Sequence, residues 1–369
     1  MATEHGAATR QSFDVPDAEP LPALEGLPGV GRLDGPVESS PEVLYFDTPD
    51  FALGSHGITL LYSSGGDDGG WQLALPADGS NRPALHGPVG SGKRPPPELT
   101  RWITRYLRGR VPVPVARLTI RRSLYRLLGP DGALLAEVSD DDVRAEPLVP
   151  PSPARSRHDW TVVLVDGTHP VARVLPRLLT AAGARPAETP AWDRALGHTD
   201  PPPDPLPPPA APGTTTAGIL REYAGRQVCR IFDQDPPLRS GDPDAAHRMR
   251  VATRRLRSQL ATHRDVLAPA ATAALRGELS WFARLVGAVR DAEVAHAHVR
   301  EVLTAQPAAL ALEPVQARVD GTLAAILRTA RARLLRAMNS TRYFRLLENL
   351  DRFAADPPLT AASGRAPQS

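Results

Sequence analysis

Four basic residues recur at helical spacing in one short segment of this 369-residue chain. At about 100° of rotation per residue, an α-helix would place all four within an arc of roughly 80° on one face. Arginine guanidinium groups form paired, charge-assisted hydrogen bonds with phosphate oxygens and keep their charge at any physiological pH. The segment therefore predicts a cationic stripe that binds a polyanion, formed by His247, Arg250, Arg254 and Arg257.

The alternative interpretation of this stripe is a solvated basic face whose charges are balanced by ion pairs. Between His247 and Arg264 the sequence contains no Asp or Glu, so the helix itself supplies no partner. Like charges at i,i+4 spacing repel one another, and a bound polyanion would relieve that repulsion. A neighbouring helix can also supply a carboxylate, for which Asp291 is the candidate. Because imidazole gains charge as the pH falls, we expect His247 to strengthen binding at lower pH.

The residues around the stripe predict the helix that carries it. Asp242 and Pro243 are a typical N-cap and first helical residue. Arg248 and Arg255 lie on one flank of the predicted stripe. The apolar residues of the segment fall on the far side, which gives the helix a face for packing in a bundle: Met249, Ala252, Leu256 and Leu260.

The chain changes character at a proline-rich stretch, residues 199–213, that predicts an extended linker. It separates a first domain at residues 1–198 from a helical domain at 214–356, and we expect a disordered tail at 357–369. Residues 1–213 carry 20 Lys and Arg against 26 Asp and Glu, whereas residues 214–369 carry 23 against 15. A basic excess confined to one half points to a polyanionic partner for that half.

The hydrophobic patterns predict an α+β protein with an antiparallel β-barrel in the first half and an all-α bundle in the second. Short apolar runs separated by glycine- and aspartate-rich turns are typical of β-hairpins. Two helices attach to the strands, at about 98–107 and 170–182. Helical periodicity in the second half predicts four or five further helices, at about 214–232, 243–267, 270–304, 314–338 and 341–354.

The basic segment HRMRVATRRLR at 247–257 resembles the signature helix of CHAD domains, histidine-containing helical domains that bind inorganic polyphosphate. WFARLVGAVRDAEV at 281–294 and STRYFRLL at 340–347 resemble later helices of that family. The resemblance implies that the stripe contacts polyphosphate. Secondary or orienting roles follow for Arg248, Arg255, Arg290 and Asp291.

CHAD domains repeat this helical unit, with a second basic helix in the second copy. In this sequence only a polar segment follows Asp356. We therefore expect either weaker binding by one half of the domain or a homodimer in which two chains supply the halves.

Residues 8–195 resemble a CYTH domain, the triphosphate tunnel fold, in YFDTPD at 45–50, RLTIRRSLYR at 117–126 and LLAEVSDDD at 134–142. Active members bind metal through inward glutamates, and their first strand carries an ExExK pattern. Aligned on Phe13, those positions here are Ala8, Arg10 and Ser12. The resemblance thus implies a pseudoenzyme with no catalytic residue, metal or cofactor.

A few charged residues of the tunnel pattern remain, and they would either retain weak triphosphate affinity or form ordinary ion pairs. They are Arg117, Arg121 and Glu137, with Arg122 and Asp140 beside them. Two further interpretations of function stay open. One is a divergent metal-dependent triphosphatase or nucleotide cyclase. The other is nucleic-acid binding, which phosphate affinity alone does not distinguish, although few aromatic residues near the stripe could stack bases.

Other sequence features narrow the functional class. Cys229 is the only cysteine, which excludes an intramolecular disulfide. No signal peptide or membrane-spanning segment of about 20 apolar residues is recognisable, so we expect a soluble, cytoplasmic protein.

The stretch from Gly87 to Lys93 has phosphate-loop spacing, but Arg94 replaces the Ser or Thr and prolines follow. Glu293 and His296 are interpreted as surface residues and not as a metal site.

Overall fold

The structure, a computed structural model, describes residues 9–16, 19–65, 69–75, 85–87, 94–150, 153–165, 169–187, 194, 216–263, 266–306, 313–358 and 360. These residues divide into two compact units. The sheet unit contains those up to Leu99 and those from Val111 to Arg194. The helical unit contains Thr100–Arg110 and the residues from Thr216 onward. The predicted linker and most of the predicted tail lie outside the described residues.

The sheet unit confirms the predicted antiparallel β-structure with attached helices. Its described strands are β1 (Thr9–Val15), β2 (Arg32–Ser39), β3 (Glu42–Asp47), β4 (Thr59–Ser64), β5 (Gly70–Ala74), β6 (Leu85–His86), β7 (Val113–Leu128), β8 (Leu134–Pro147), β9 (Arg155–Leu164) and β10 (Arg185–Pro186). They form one sheet in the order β10-β1-β9-β8-β7-β3-β4-β5-β6, with β2 beside β3 on the same edge of the long strand β7. Among the described residues no pairing joins β10 to β6, so closure into a barrel stays a prediction.

The hairpins form where the glycine-rich turns predicted them. Gly132, between β7 and β8, has a φ of 83°, a left-handed conformation that glycine adopts without steric cost. Helix α2 (Val171–Ala181) covers one face of the sheet with apolar residues four apart, Val171, Leu175 and Leu179, all fully buried against strand residues such as Trp160.

The helical unit is an all-α bundle, as predicted. Most of helix α1 (Pro97–Leu107) belongs to this unit, together with the turn that follows the helix. This part of the unit is the segment Thr100–Arg110. The remaining helices are α3 (Thr216–Asp233), α4 (Asp235–Ser240), α5 (Ala245–Thr262), α6 (Pro269–Thr304), α7 (Glu313–Met338) and α8 (Thr341–Ala355). Helix α5 packs against α3 and α6, and α6 packs against α7 and α8.

Helix α5 carries the basic stripe and buries the face opposite to it. All four apolar residues predicted for that face are at most 3% exposed, and they join a core that contains Phe282 of α6 and Tyr343 of α8. Burial of a leucine-sized side chain contributes roughly 1.5–3 kcal/mol. This face therefore fixes the rotation of α5 and turns the arginines outward.

The start of α5 differs from the prediction. The helix begins at Ala245, Asp244 occupies the N-cap position, and its side chain accepts no capping hydrogen bond. Asp242 instead accepts a hydrogen bond from the backbone N–H of Asp244 at 2.8 Å. An aspartate whose side chain accepts a hydrogen bond from the backbone two residues ahead favours a turn. Pro243 therefore lies in this turn and is not the first residue of the helix. The short helix α4, which begins with two prolines after Asp235, was also not predicted.

The segment Thr100–Arg110 belongs to the helical unit, although the sequence analysis placed it in the first domain. Within the helical unit, Arg108 forms an ion pair with Asp351, and the Arg105 guanidinium lies 5.0 Å from the ring centroid of Phe232. Ile103 and Leu107 are buried. The helical pattern of this segment was predicted correctly, but a local pattern carries no information on which core receives its apolar face.

Among the described residues, no helix combines the length and the apolar character that a membrane span requires.

Candidate polyanion-binding site

Helices α5 and α6 form the walls of a cleft of about 630 Å³, the first cleft. Val251, Val294 and Ala295 contribute apolar surface to it. Its charged and titratable lining comes from both helices: His247, Arg250 and Arg254 on α5, and Arg290, Asp291 and His298 on α6. The cleft thus combines three guanidinium groups and two imidazoles with a single carboxylate.

Asp291 is the carboxylate that the sequence analysis expected a neighbouring helix to supply. Its Oδ1 accepts a hydrogen bond from Arg250 Nη1 at 2.7 Å. The side chains of Arg250 and Asp291 are 48% and 73% exposed, and an exposed pair of this kind contributes only about 0–1 kcal/mol. An incoming polyanion can therefore replace Asp291 at little cost.

The other stripe residues differ from Arg250 in their contacts. Within the described part of the chain, His247, Arg254 and Arg257 form neither a hydrogen bond nor an ion pair through their side chains. His247 and Arg254 are exposed at the first cleft, whereas Arg257 is half-buried and lies outside its lining. Arg254 is therefore a cationic group available to a ligand.

Arg290 is held in place at the cleft by a carboxylate behind it. Glu293 Oε2 lies 3.5 Å from Arg290 Nη1, and Glu293 Oε1 accepts a hydrogen bond from Arg331 Nη2 at 3.1 Å. The Glu293 side chain is only 11% exposed. His296, three residues further on, contacts Asp320 at 3.2 Å instead. Glu293 thus contacts two arginines, whereas His296 contacts a different residue, Asp320.

Arg248 and Arg255, the flanking arginines, have different roles. Arg248 hydrogen-bonds to Gln234 at 2.6 Å and to Asp242 at 3.0 Å, which fixes the turn before α5. The backbone N–H of Asp244 and the Arg248 guanidinium lower the pKa of Asp242. Arg255 lines a second cleft of about 450 Å³ between α3 and α5, which it shares with Arg254.

Sequence reasoning missed His298 and Tyr223. His298 follows Asp291 by seven residues, about two helical turns, and so lies on the same face of α6. That spacing was available as a signal. Tyr223 lines the second cleft from α3, and nothing in its local sequence indicates that position.

A buried polar network holds the helices beneath the site. Arg239 Nε donates to Asp235 Oδ1 at 2.6 Å, and the Tyr343 hydroxyl donates to Asp235 Oδ2 at 2.7 Å. Arg239 also donates to the carbonyl oxygen of Met338 at 2.8 Å. The Asp235 and Arg239 side chains are at most 4% exposed. Burial, and then the charge of Asp235, raise the pKa of Tyr343 well above its ordinary value.

The residual tunnel residues do not converge on one site. Arg117 pairs with Glu146 at 3.1 Å and Arg121 with Asp142 at 3.0 Å. Glu137 pairs with Arg126 at 2.9 Å. Because side chains alternate along a strand, Arg117 and Arg121 lie on the face of β7 opposite to Arg126 and hence to Glu137.

Two of the buried carboxylates of the sheet unit, Asp141 and Asp159, also pair with basic side chains. Arg122 donates two hydrogen bonds of 2.7 Å to Asp141, and Asp159 contacts Arg157 at 2.8 Å and Arg194 at 3.1 Å. Asp140 pairs with His158. No group of three or more His, Cys, Asp or Glu in the described residues could hold a metal ion. Residues 88–93 of the phosphate-loop-like stretch lie outside the described residues.

Comparison with known proteins identifies the helical unit. Residues 222–369 match the family model of the CHAD domain. Two Mycobacterium tuberculosis proteins, described as the uncharacterized proteins MT2285 (strain CDC 1551) and Rv2226 (strain H37Rv), are each 33% identical over 365 residues. Each match covers 94% of this chain and 69% of the relative. This chain is a CHAD-domain protein of their family. The matched range includes both walls of the first cleft.

Solved structures give weaker similarities. PptA from Streptomyces chartreusis has a TM-score of 0.36 at 22% identity, over 41% of this chain and 54% of that one. A putative adenylate cyclase (bh2851) from Bacillus halodurans has a TM-score of 0.26 at 12% identity, over 42% of this chain and 81% of that one. At these TM-scores neither similarity adds to the assignment, and the CYTH resemblance of the sheet unit stays a prediction.

Proposed function

We propose that the CHAD domain binds inorganic polyphosphate in the first cleft and that the protein acts as a binding module without catalysis. The observation that carries the proposal is the convergence of Arg250, Arg254 and Arg290 from two helices on one cleft, where Arg254 has no partner in the described residues. The CHAD family match supports the same ligand class.

The cleft suits a linear phosphate chain because such a ligand presents negatively charged oxygens along its whole length. Each guanidinium can donate two hydrogen bonds to one phosphate group. Hydrogen bonds to charged groups contribute roughly 1.5–3 kcal/mol each, and micromolar affinity requires about 8 kcal/mol. A few arginine contacts are therefore sufficient for micromolar binding by this cleft.

The sheet unit is proposed to be a pseudoenzyme. Supporting this, Asp141 and Asp159 are occupied by arginines, so neither carboxylate is free to coordinate a divalent cation. We expect no phosphate release from tripolyphosphate or ATP in the presence of Mg²⁺ or Mn²⁺. Sustained metal-dependent turnover would instead favour a divergent triphosphatase or cyclase.

Calorimetric titration with long-chain polyphosphate at two salt concentrations tests the binding proposal. We expect salt-sensitive binding, because each neutralised phosphate releases counterions. Arg250→Ala/Arg254→Ala should lose roughly a hundredfold in affinity, at about tenfold per lost charged contact. A matched control is Arg333→Ala/Arg345→Ala, which removes two exposed arginines that line neither cleft and have no partner in the described part of the chain.

Three outcomes would contradict this proposal. They are no binding by the unmodified protein, an equal loss in the control variant, and complete displacement of polyphosphate by duplex DNA, which would favour a nucleic-acid-binding function.

The two histidines of the first cleft give the proposal a second test. His247 and His298 line the cleft together with Arg250, Arg254, Arg290 and Asp291. Each imidazole can donate a hydrogen bond to a phosphate oxygen. His247→Ala/His298→Ala should weaken polyphosphate binding by about tenfold, and an unchanged affinity of that variant would exclude both histidines from the site.

A further inference from the structure

The second cleft begins where the first ends. Arg254 lines both clefts, so the two are adjacent on the surface of α5. The second cleft of about 450 Å³ lies between Tyr223 of α3, the C-terminal half of α5 and His263, which follows α5 directly. The α5 residues that line it are Arg254, Arg255, Ser258, Gln259 and Thr262.

The lining of the second cleft is chemically suited to anions. Among the described residues it contains two guanidiniums, three hydroxyl groups, an amide and an imidazole, and none of the described lining residues is a carboxylate. Within the described residues, none of these polar side chains has a hydrogen bond or an ion pair with the protein. The first cleft, in contrast, contains Asp291. The second cleft therefore presents only groups that can donate to a ligand or remain neutral towards it.

The helix itself connects the two clefts in one line. Arg250, Arg254, Ser258 and Thr262 are spaced four residues apart, and residues at this spacing form a continuous ridge inclined by about 26° to the helix axis. The inclination carries the ridge from the α6 side of α5 to the α3 side. From His247 to His263 the helix rises by roughly 24 Å, at about 1.5 Å per residue.

We propose that the two clefts form one anion track along α5, the α5 track, and that its ligand is a linear phosphoanhydride chain long enough to occupy both. This inference rests on the proposed function of the first cleft and extends it to ligand length. A tripolyphosphate is too short to reach from one end of the track to the other, and we assign it to the first cleft, where three arginines converge instead of two. The second cleft then gives the protein its preference for long chains.

The test uses a variant that alters the second cleft alone. Arg255→Gln/His263→Gln removes two groups that have no protein partner in the described residues, and Arg345→Gln on α8 is a control for the loss of one exposed charge. Each protein is titrated with tripolyphosphate and with long-chain polyphosphate. The double variant should lose roughly tenfold in affinity for the long chain, whereas its affinity for tripolyphosphate and both affinities of the control should be unchanged.

A milder variant keeps the test decisive if the double variant is poorly folded. Tyr223→Phe removes a single hydroxyl group from the opposite wall, and we expect about a threefold loss for the long chain alone. Circular dichroism spectra and melting temperatures would establish that each variant is folded before titration.

The possible failures are distinguishable. If the unmodified protein binds neither ligand, the proposed function is wrong, and the α5 track is wrong with it. If it binds, but the second-cleft variants bind long chains as tightly as the unmodified protein, or lose both ligands equally, only the α5 track is wrong. A single-stranded oligonucleotide that binds more tightly than long-chain polyphosphate, through Tyr223, would also overturn the assignment of a phosphoanhydride ligand.

Discussion

Asp291 is the one carboxylate in a cleft that otherwise suits anions. It neutralises Arg250 in the free protein, and it lies where phosphate oxygens would approach. Two roles are conceivable for such a residue, since it either orients the arginine or competes with the ligand. Its high exposure favours competition, because a flexible surface pair orients its partner weakly.

Asp291→Asn separates these two roles. We expect polyphosphate to bind about threefold more tightly, since one repulsive charge is removed while Arg250 stays in place. Glu301→Gln on the same helix is the matched control, because Glu301 is exposed, lines neither cleft and has no side-chain partner in the described residues. Calorimetric titration of both variants decides the matter, and weaker binding by Asp291→Asn would show that Asp291 orients Arg250.

At the scale of the helices, a buried ion pair to which no stripe residue contributes connects elements of the same bundle. Asp235 of α4 accepts hydrogen bonds from Arg239 and Tyr343. Arg239 also donates a hydrogen bond to the carbonyl oxygen of Met338 at the C-terminal end of α7. The network ties α4 to the end of α7 and to α8. Loss of one partner leaves another charge buried without compensation, which costs roughly 3–5 kcal/mol for a buried pair.

Tyr343→Phe tests this network without removing a charge. We expect the free energy of unfolding to fall by about 1–2 kcal/mol at pH 8. The pKa of Tyr343 is raised in the folded state, whereas an unfolded tyrosine ionises near pH 10. The stabilisation by Tyr343 is therefore complete below about pH 10 and is lost as the pH rises further.

The difference in stability between Tyr343→Phe and the unmodified protein should accordingly shrink between pH 8 and pH 11. Denaturant titrations followed by circular dichroism at several pH values measure it. Tyr223→Phe serves as the control, because the Tyr223 hydroxyl has no partner in the described residues. A difference that does not change with pH would contradict the assigned role of the buried hydroxyl.

The sequence predicts the long helices well and the short elements poorly. Helix α6 was predicted at 270–304 and spans Pro269–Thr304. The prediction is accurate because a helical pattern that continues over 36 residues is much longer than a β-strand could be. Strand β2 has mostly exposed side chains and hence no alternation to detect. The stripe on α5 follows from helical rotation alone, whereas the opposite wall of the cleft depends on how α6 packs. Arg290 was therefore named only through the CHAD resemblance, Asp291 was named as a candidate partner for the stripe and through the same resemblance, and His298 was missed.

At the scale of the whole molecule, the homodimer is one of the two alternatives that the sequence left open, and it remains a prediction. Multi-angle light scattering after size-exclusion chromatography separates the two alternatives. If two chains share one ligand, long-chain polyphosphate produces a species with the mass of two chains and tripolyphosphate leaves the mass unchanged. Arg250→Ala/Arg254→Ala should stay at the mass of the free protein, and an unchanged mass of the unmodified protein with saturating long-chain polyphosphate would exclude the dimer.

The position of Thr100–Arg110 in the helical unit has a consequence for protein synthesis. A ribosome completes this segment, with the apolar side chains of Ile103 and Leu107, long before it completes the helices of the same unit. At roughly 5–20 residues per second, the wait until α8 emerges lasts on the order of ten seconds or more. During this time the two apolar side chains lack the rest of their unit, so we predict that chaperones which bind exposed apolar segments act on this nascent chain.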